Sequence, residues 1–303
     1  MSELPSTEGF DPATVDIDRL DHVELSRLLV ETQRGAVDAA AAAAAEIARA
    51  TTLVVEAIED GRRVVLVGAG TSGRLAVLDA AELPPTFGVD PELFQARIAG
   101  GDSALRRAVE GAEDDAEAGA RAVADVGIGD VVIGISASGG APFVRAAIAA
   151  ARARGARTVG IVNAPGAPLT RDAELAIVAA TGAEPIQGST RMRAGTAQKL
   201  VLNAISTGAL IRLGKTYRNR MVDLVATNAK LRARSERLVR DLAGDVDARG
   251  LLDAAAGSVK VAVVMARRSV ERAEAERLLE AAHGRLAAVI DGPAWTRVPP
   301  SSV

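Results

Sequence analysis

Arg63-Val64-Val65-Leu66-Val67 followed by Gly68-Ala69-Gly70-Thr71-Ser72-Gly73 decides the fold. Four consecutive apolar residues, mostly β-branched, read as a strand buried on both faces, and the glycines read as a tight turn out of it. Arg74 to Glu82 then reads as a helix that Pro84-Pro85 is expected to stop. The same alternation continues outward. Phe94 to Ala99 is a second strand, broken by Gly100-Gly101; Asp102 to Val109 and Ala116 to Ala124 read as helical. Asp130 to Ile135 is a third strand, feeding Ser136-Ala137-Ser138-Gly139-Gly140, with Pro142 at the first position of a helix running to about Arg154. Thr158 to Val162 and Leu175 to Val178 complete five short apolar strands. Strand–loop–helix alternation at this spacing predicts an α/β fold, a mostly parallel five-stranded sheet flanked by helices.

Before this unit, residues 22–60 read as two helices, the alanine run Ala39 to Ala45 being strongly helix-forming. After it, Arg193 to Leu213 and residues 227–242 read as helices. Short helical segments at 247–255, 259–267, 270–281 and 284–290 then form a small bundle, with a polar tail after Gly292. The expected organisation is an N-terminal helical segment at 1–60 packing on a central domain at 61–243, a C-terminal helical bundle at 244–292 and a tail at 293–303.

Composition removes whole classes of chemistry. The 303 residues include no cysteine, which excludes disulfides, thiolate nucleophiles and Cys-ligated clusters. The two histidines, His22 and His283, lie far apart, so no metal site is expected. Thirty-six Lys plus Arg against 39 Asp plus Glu give no basic footprint for nucleic acid or an anionic membrane. Aromatic residues, at 2%, are too few for a base-stacking platform. The acidic amino terminus is not read as a secretory leader, and the apolar stretch Leu200 to Ile211 falls short of the ~20 residues of a membrane span. The cytoplasm is the expected compartment. Carboxylates, hydroxyls, amides and Lys or Arg must carry whatever chemistry there is.

The first loop matches the spacing G-x-G-x-x-G, but the second strand does not end in the acidic residue a dinucleotide ribose needs. A P-loop fails because Arg74-Leu75 stand where Lys and Ser/Thr belong. An anion cradle fits better: Gly70 lets the backbone approach, helix-terminal amides point outward, and Thr71 and Ser72 add hydroxyls. Ser136 and Ser138 repeat the arrangement after the third strand, and Ser189 and Thr190 form another cluster before a helix bearing Arg193 and Lys199. Parallel strands put such loops at one sheet edge, where open α/β sheets bind ligands. Hydroxyls and amides without a Walker lysine suit a single phosphate on a small sugar. Each Ser or Thr also has a plain reading as a helix N-cap. Glu82 and Glu113 are acid–base candidates; both also read as solvated surface residues, as do Glu110, Asp114 and Asp115.

These motifs together resemble the N-acetylmuramic acid 6-phosphate etherase family. The matching stretches are Gly68 to Leu75 with Asp79 to Gly88, Ala99-Gly100-Gly101, Ala108 to Asp115, Gly188 to Lys199 and Met221 to Leu231. Thr7-Glu8-Gly9 and Ile17-Asp18 also fit, so the resemblance spans roughly residues 7 to 290. It implies a sugar isomerase (SIS) type three-layer sandwich in the central domain, and a C-terminal bundle similar to a ubiquitin-associated one. It implies a homodimer that uses neither metal nor nucleotide. It also implies cleavage of a lactyl ether, with the family's two catalytic glutamates falling on Glu82 and Glu113. The third-strand loop departs from the family's Ala-Ser-Gly-Arg-Thr-Pro, with Gly140-Ala141 replacing arginine and threonine. Two alternatives stay open: a non-catalytic sugar-phosphate-binding regulator resembling glucokinase regulatory protein, and an aldose–ketose isomerase of the same fold.

Overall fold

The decisive strand forms as β1, Val64–Gly68, with all five residues buried. The computed structural model describes residues 5–224 and 229–292. The expected tail from residue 293, and the start of the helix expected at 227–242, lie outside them. The other strands are β2 Phe94–Ile98, β3 Val131–Ile135, β4 Arg157–Val162 and β5 Leu175–Val178. They make one five-stranded sheet in the order β2-β1-β3-β4-β5, with every pairing parallel.

That order contains a reversal. From β1 the chain moves out to β2, then returns across β1 to β3. The carboxyl ends of β1 and β3 are therefore neighbours, Gly68 opposite Ile135, and a crevice opens where the connections diverge. Helix α4, Gly70–Phe87, leaves β1 at this point, and α6, Pro142–Ala153, follows β3 with its proline in the first turn. The turn into α4 is so tight that only glycine fits. A Cβ on Gly73 would lie 2.6 Å from Ile98 Cγ1 and 2.7 Å from the Gly68 carbonyl oxygen.

The helices α1 His22–Glu31, α2 Arg34–Ala42 and α3 Ala44–Glu59 replace the two expected over 22–60. The breaks fall at Thr32-Gln33 and at Ala43. Pro84 and Pro85 do not stop α4, which runs on to Phe87. They sit in its last turn, where the lost N–H groups would serve only the Ala80 and Ala81 carbonyls, and Gly88 then closes the end with its N–H on the Pro84 carbonyl at 2.9 Å. The helix expected at 102–109 is only a 3-10 turn, Gly101–Leu105; α5, Ala116–Arg121, is shorter than expected. Helix α7, Leu169–Asp172, was not foreseen, and α8 runs over Arg193–Arg212.

The chain divides into two compact units, Met1–Ala81 with Pro91–Gly208, and Glu82–Asp90 with Ala209–Val303. The first holds the sheet, whose core includes Val65, Val67, Val132, Val144 and Ile148. In the second, the small hairpin of β6 Thr216–Tyr217 and β7 Arg220–Met221 accompanies α9 Ala229–Ala243, α10 Ala248–Ala254, α11 Val259–Arg268, α12 Arg272–Ala281 and α13 Leu286–Ile290. Its own core gathers Val239, Leu252, Val263, Leu279 and Leu286. Among the described residues, no helix is long and apolar enough to cross a membrane.

The Gly73 contact sets a measurable cost. Gly73→Ala must displace Ile98 or the β1 terminus, so it should lower stability by about 1–3 kcal/mol, the usual penalty for overpacking. Urea titration would show this as a lower midpoint at unchanged slope.

Candidate active site

A cavity of about 460 Å³ opens at the carboxyl ends of β1 and β3. Three loops line it: Gly70, Thr71 and Ser72 after β1, Ser136 and Ser138 after β3, and Gly188 and Thr190 ahead of α8. Glu113 reaches it from a 3-10 turn, Ala112–Asp114, whose Ala112 packs against the sheet core. Seven of the residues singled out in the sequence are thus brought together, while Ser189, Lys199 and Glu82 are not among the lining residues. Glu82 is exposed near the end of α4, in the second unit. The sequence reading missed Glu8, Asp114 and Gly188 as cavity residues. Asp114 reads as part of a solvated acidic cluster, and only the fold brings residue 8 to residue 188. Among the described residues, the lining has three carboxylates and no lysine, arginine or histidine.

Electrostatic complementarity to an anion must therefore come from dipoles. The cavity meets the N-terminus of α4, an 18-residue helix, whose first amides lack intrahelical acceptors and carry the positive end of the macrodipole. Ser136 Oγ accepts the Gly139 N–H at 3.1 Å and Ser138 Oγ accepts the Gly140 N–H at 3.2 Å. Both acceptances leave the hydroxyl protons to donate elsewhere.

Ser72 is different. Its Oγ donates to Gln198 Oε1 at 2.8 Å, Gln198 Nε2 donates to Asn163 Oδ1 at 2.8 Å, and Asn163 Nδ2 donates to the Ala179 carbonyl at 2.9 Å. All three side chains are buried. A carbonyl can only accept, so the Asn163 amide must face Ala179 with its nitrogen. That orients Gln198, which in turn fixes the Ser72 proton inward. Ser72 keeps its lone pairs and backbone amide for the cavity.

The cations of the third cluster are engaged elsewhere. The Arg193 guanidinium donates to the carbonyls of Thr32 at 2.9 Å and Ala183 at 2.7 Å, and pairs with Asp11 at 3.5 Å. The fully buried Glu184 carboxylate accepts the Arg193 and Ala194 N–H groups, both at 2.8 Å, and so caps α8. Lys199 is exposed and acts electrostatically on Asp79. Burial raises the Asp79 pKa, opposed by hydrogen bonds from Asn203 Nδ2 at 2.6 Å and Ser206 Oγ at 3.2 Å and by the Lys199 charge.

Residues 46–152 match the family described as glucokinase regulatory protein N-terminal SIS domain, and residues 106–207 match the SIS domain. The α/β sheet with its cavity at the β1–β3 reversal is thus of the SIS class. Across 294 residues the chain is 48% identical to the N-acetylmuramic acid 6-phosphate etherase of Deinococcus radiodurans, covering 96% of each. It is 45% identical over 289 residues to the etherase of Caldanaerobacter subterraneus subsp. tengcongensis, covering 94% of each. With that of Escherichia fergusonii it shares 43% identity, over 94% of this chain and 97% of the other. The chain belongs to the N-acetylmuramic acid 6-phosphate etherase family.

Two measurements follow from this geometry. Because its folded pKa is raised, Asp79 binds its proton more tightly in the native state, so its contribution to stability falls as pH rises from its unfolded pKa through its folded one. Asp79→Asn should flatten that part of the stability profile, above the ordinary aspartate range; urea midpoints of the two proteins compared at each pH would show it. Ser72→Ala strands buried Gln198 Oε1, so it should cost about 1–3 kcal/mol of stability. Inorganic phosphate binding by calorimetry should change little, whereas Ser138→Ala should weaken it about 10-fold or more, as expected for a lost charge-assisted hydrogen bond.

Proposed function

We propose that this chain cleaves the lactyl ether of N-acetylmuramic acid 6-phosphate, giving N-acetylglucosamine 6-phosphate and D-lactate, as a carbon–oxygen lyase. The observation that carries the reading is the near full-length identity to relatives bearing that name. The cavity agrees with it chemically: hydroxyls and helix-terminal amides for one phosphate, and a carboxylate, Glu113, beside them.

The reaction begins with the ring-opened sugar, whose C1 aldehyde acidifies the C2 proton. A base removes that proton, an acid protonates the departing C3 ether oxygen, and lactate leaves. Water then adds at C3 of the unsaturated aldehyde. One ionised and one protonated carboxyl suffice. Family resemblance assigns the pair to Glu82 and Glu113, with Glu82 as acid and Glu113 as base. In this reading Gly70, Thr71, Ser138 and Thr190 hold the phosphate and Ser136 supports them; their shared position on the cavity wall supports it. The resemblance also implies that two copies of the chain work together as a homodimer.

Incubation with N-acetylmuramic acid 6-phosphate should release D-lactate; absence of lactate with a folded protein would refute the reading. Solvent-deuterium exchange at C2 of unreacted substrate, read by mass spectrometry, separates the roles. Glu82→Gln should abolish lactate release but retain some exchange, and Glu113→Gln should suppress both, each losing roughly 10²–10⁴-fold in turnover. The reverse pattern would exchange the assignments.

A further inference from the structure

Glu8 closes the 3-10 turn Ser6–Glu8 and lines the same cavity as Glu113. The turn is held firmly. Glu8 N–H donates to the Pro5 carbonyl at 2.8 Å, Gly9 N–H to the Ser6 carbonyl at 3.2 Å, and Gln187 Nε2 to the Glu8 carbonyl at 3.0 Å. Thr7, beside it, is fully buried. The Glu8 side chain rests on the third loop. Gly188 has a φ of +72°, which favours glycine, and a Cβ there would lie 2.9 Å from Glu8 Oε2, so the carboxylate end sits directly over this loop.

Among the described residues, the Glu8 carboxylate meets no cation and no hydrogen-bond donor, although it is half-buried. A partly desolvated carboxylate without a partner costs free energy that an arriving donor recovers. Ionised carboxylate accepts only. Its occupant must therefore bring an O–H or N–H, and a phosphate oxygen is repelled from it. Apart from Glu113 and Asp114, the remaining polar lining is made of hydroxyls and amides, whose donors match a phosphate.

Resting on the etherase reading above, we propose that Glu8 is a specificity-determining residue that accepts a hydrogen bond from a hydroxyl of the bound sugar phosphate. It thereby favours a polyol phosphate over phosphate alone. The carboxylate at position 8 and the hydroxyl loop at 188–190 act as a pair, one reading the carbon chain and the other the phosphate.

The test uses the full chain and calorimetric binding of N-acetylglucosamine 6-phosphate and of inorganic phosphate to wild type, Glu8→Ala and Glu8→Gln. Glu8→Ala should weaken the sugar phosphate about 10- to 100-fold, the worth of one hydrogen bond to a charged group. Inorganic phosphate should bind as well or better, because a nearby negative charge has gone. Glu8→Gln keeps one acceptor oxygen and should fall between. Equal weakening of both ligands would mean that Glu8 merely holds the loop, and unchanged sugar-phosphate binding would mean that it touches no hydroxyl; either overturns the proposal. Lactate release is read separately. A wild-type chain that releases none overturns the etherase reading, while the binding comparison still decides Glu8.

Discussion

The buried relay from Ser72 through Gln198 and Asn163 to the Ala179 carbonyl ties the ligand edge of the sheet together. Ser72 belongs to the first turn of α4, Asn163 follows β4, Ala179 follows β5 and Gln198 lies on α8. Asn163 also donates its backbone N–H to the Ala137 carbonyl at 2.9 Å, which adds the loop after β3. Four strand ends thus share one set of hydrogen bonds. Because every amide and hydroxyl in it is buried, breaking any link strands a partner at about 1–3 kcal/mol. This makes the relay stiff, and stiffness at the rim lets mobile hydroxyl protons elsewhere be presented at fixed positions.

The polarity of the relay has a consequence for the cavity. Among the described residues three carboxylates and no cation line it, so any attraction for an anion rests on oriented dipoles whose direction the fold sets. Arg193, the cation nearest in sequence to the third loop, instead holds the carbonyls of Thr32 and Ala183 together. Packing has priority over binding at that position, since a guanidinium with several part-buried carbonyl partners is not released to a ligand without giving up those bonds.

The strands and the two hydroxyl loops after β1 and β3 were legible in the sequence because their signals are local: β-branched runs, glycine turns and Pro142 at a helix start. Boundaries near Pro84-Pro85 were not, because each proline in the last turn forfeits only one intrahelical hydrogen bond and Gly88 closes the end on the Pro84 carbonyl. The 102–109 segment departs from the expected helix because Gly100 and Gly101 both take positive φ, at +83° and +66°, and lead into a 3-10 turn that ends at Leu105. Glu8 was invisible as a cavity residue. Nothing local distinguishes it from other surface acids, and only the docking of Gln187 on its carbonyl places it beside Gly188. Lys199 shows the converse. Its spacing in the Gly188 to Lys199 motif suggested a phosphate cation, but the turn of α8 carries it out to solvent near Asp79.

Magnitudes bear on what such a cavity can hold. Micromolar affinity corresponds to about 8 kcal/mol, and each charge-assisted hydrogen bond contributes about 1.5–3 kcal/mol. A helix terminus adds roughly 0.3–1 kcal/mol, up to about 2 when partly buried. Donors from Thr71, Ser136, Ser138 and Thr190 with the first amides of α4 reach that range for one phosphate, before the cost of immobilising the ligand is subtracted. A triphosphate would bring further charges toward Glu8, Glu113 and Asp114, with no lysine among the described lining residues to screen them. The same carboxylates that make the cavity hostile to a polyphosphate offer acceptors to the hydroxyls of a sugar. For the proposed substrate, a monophosphorylated sugar, the sign of the lining matters as much as its size.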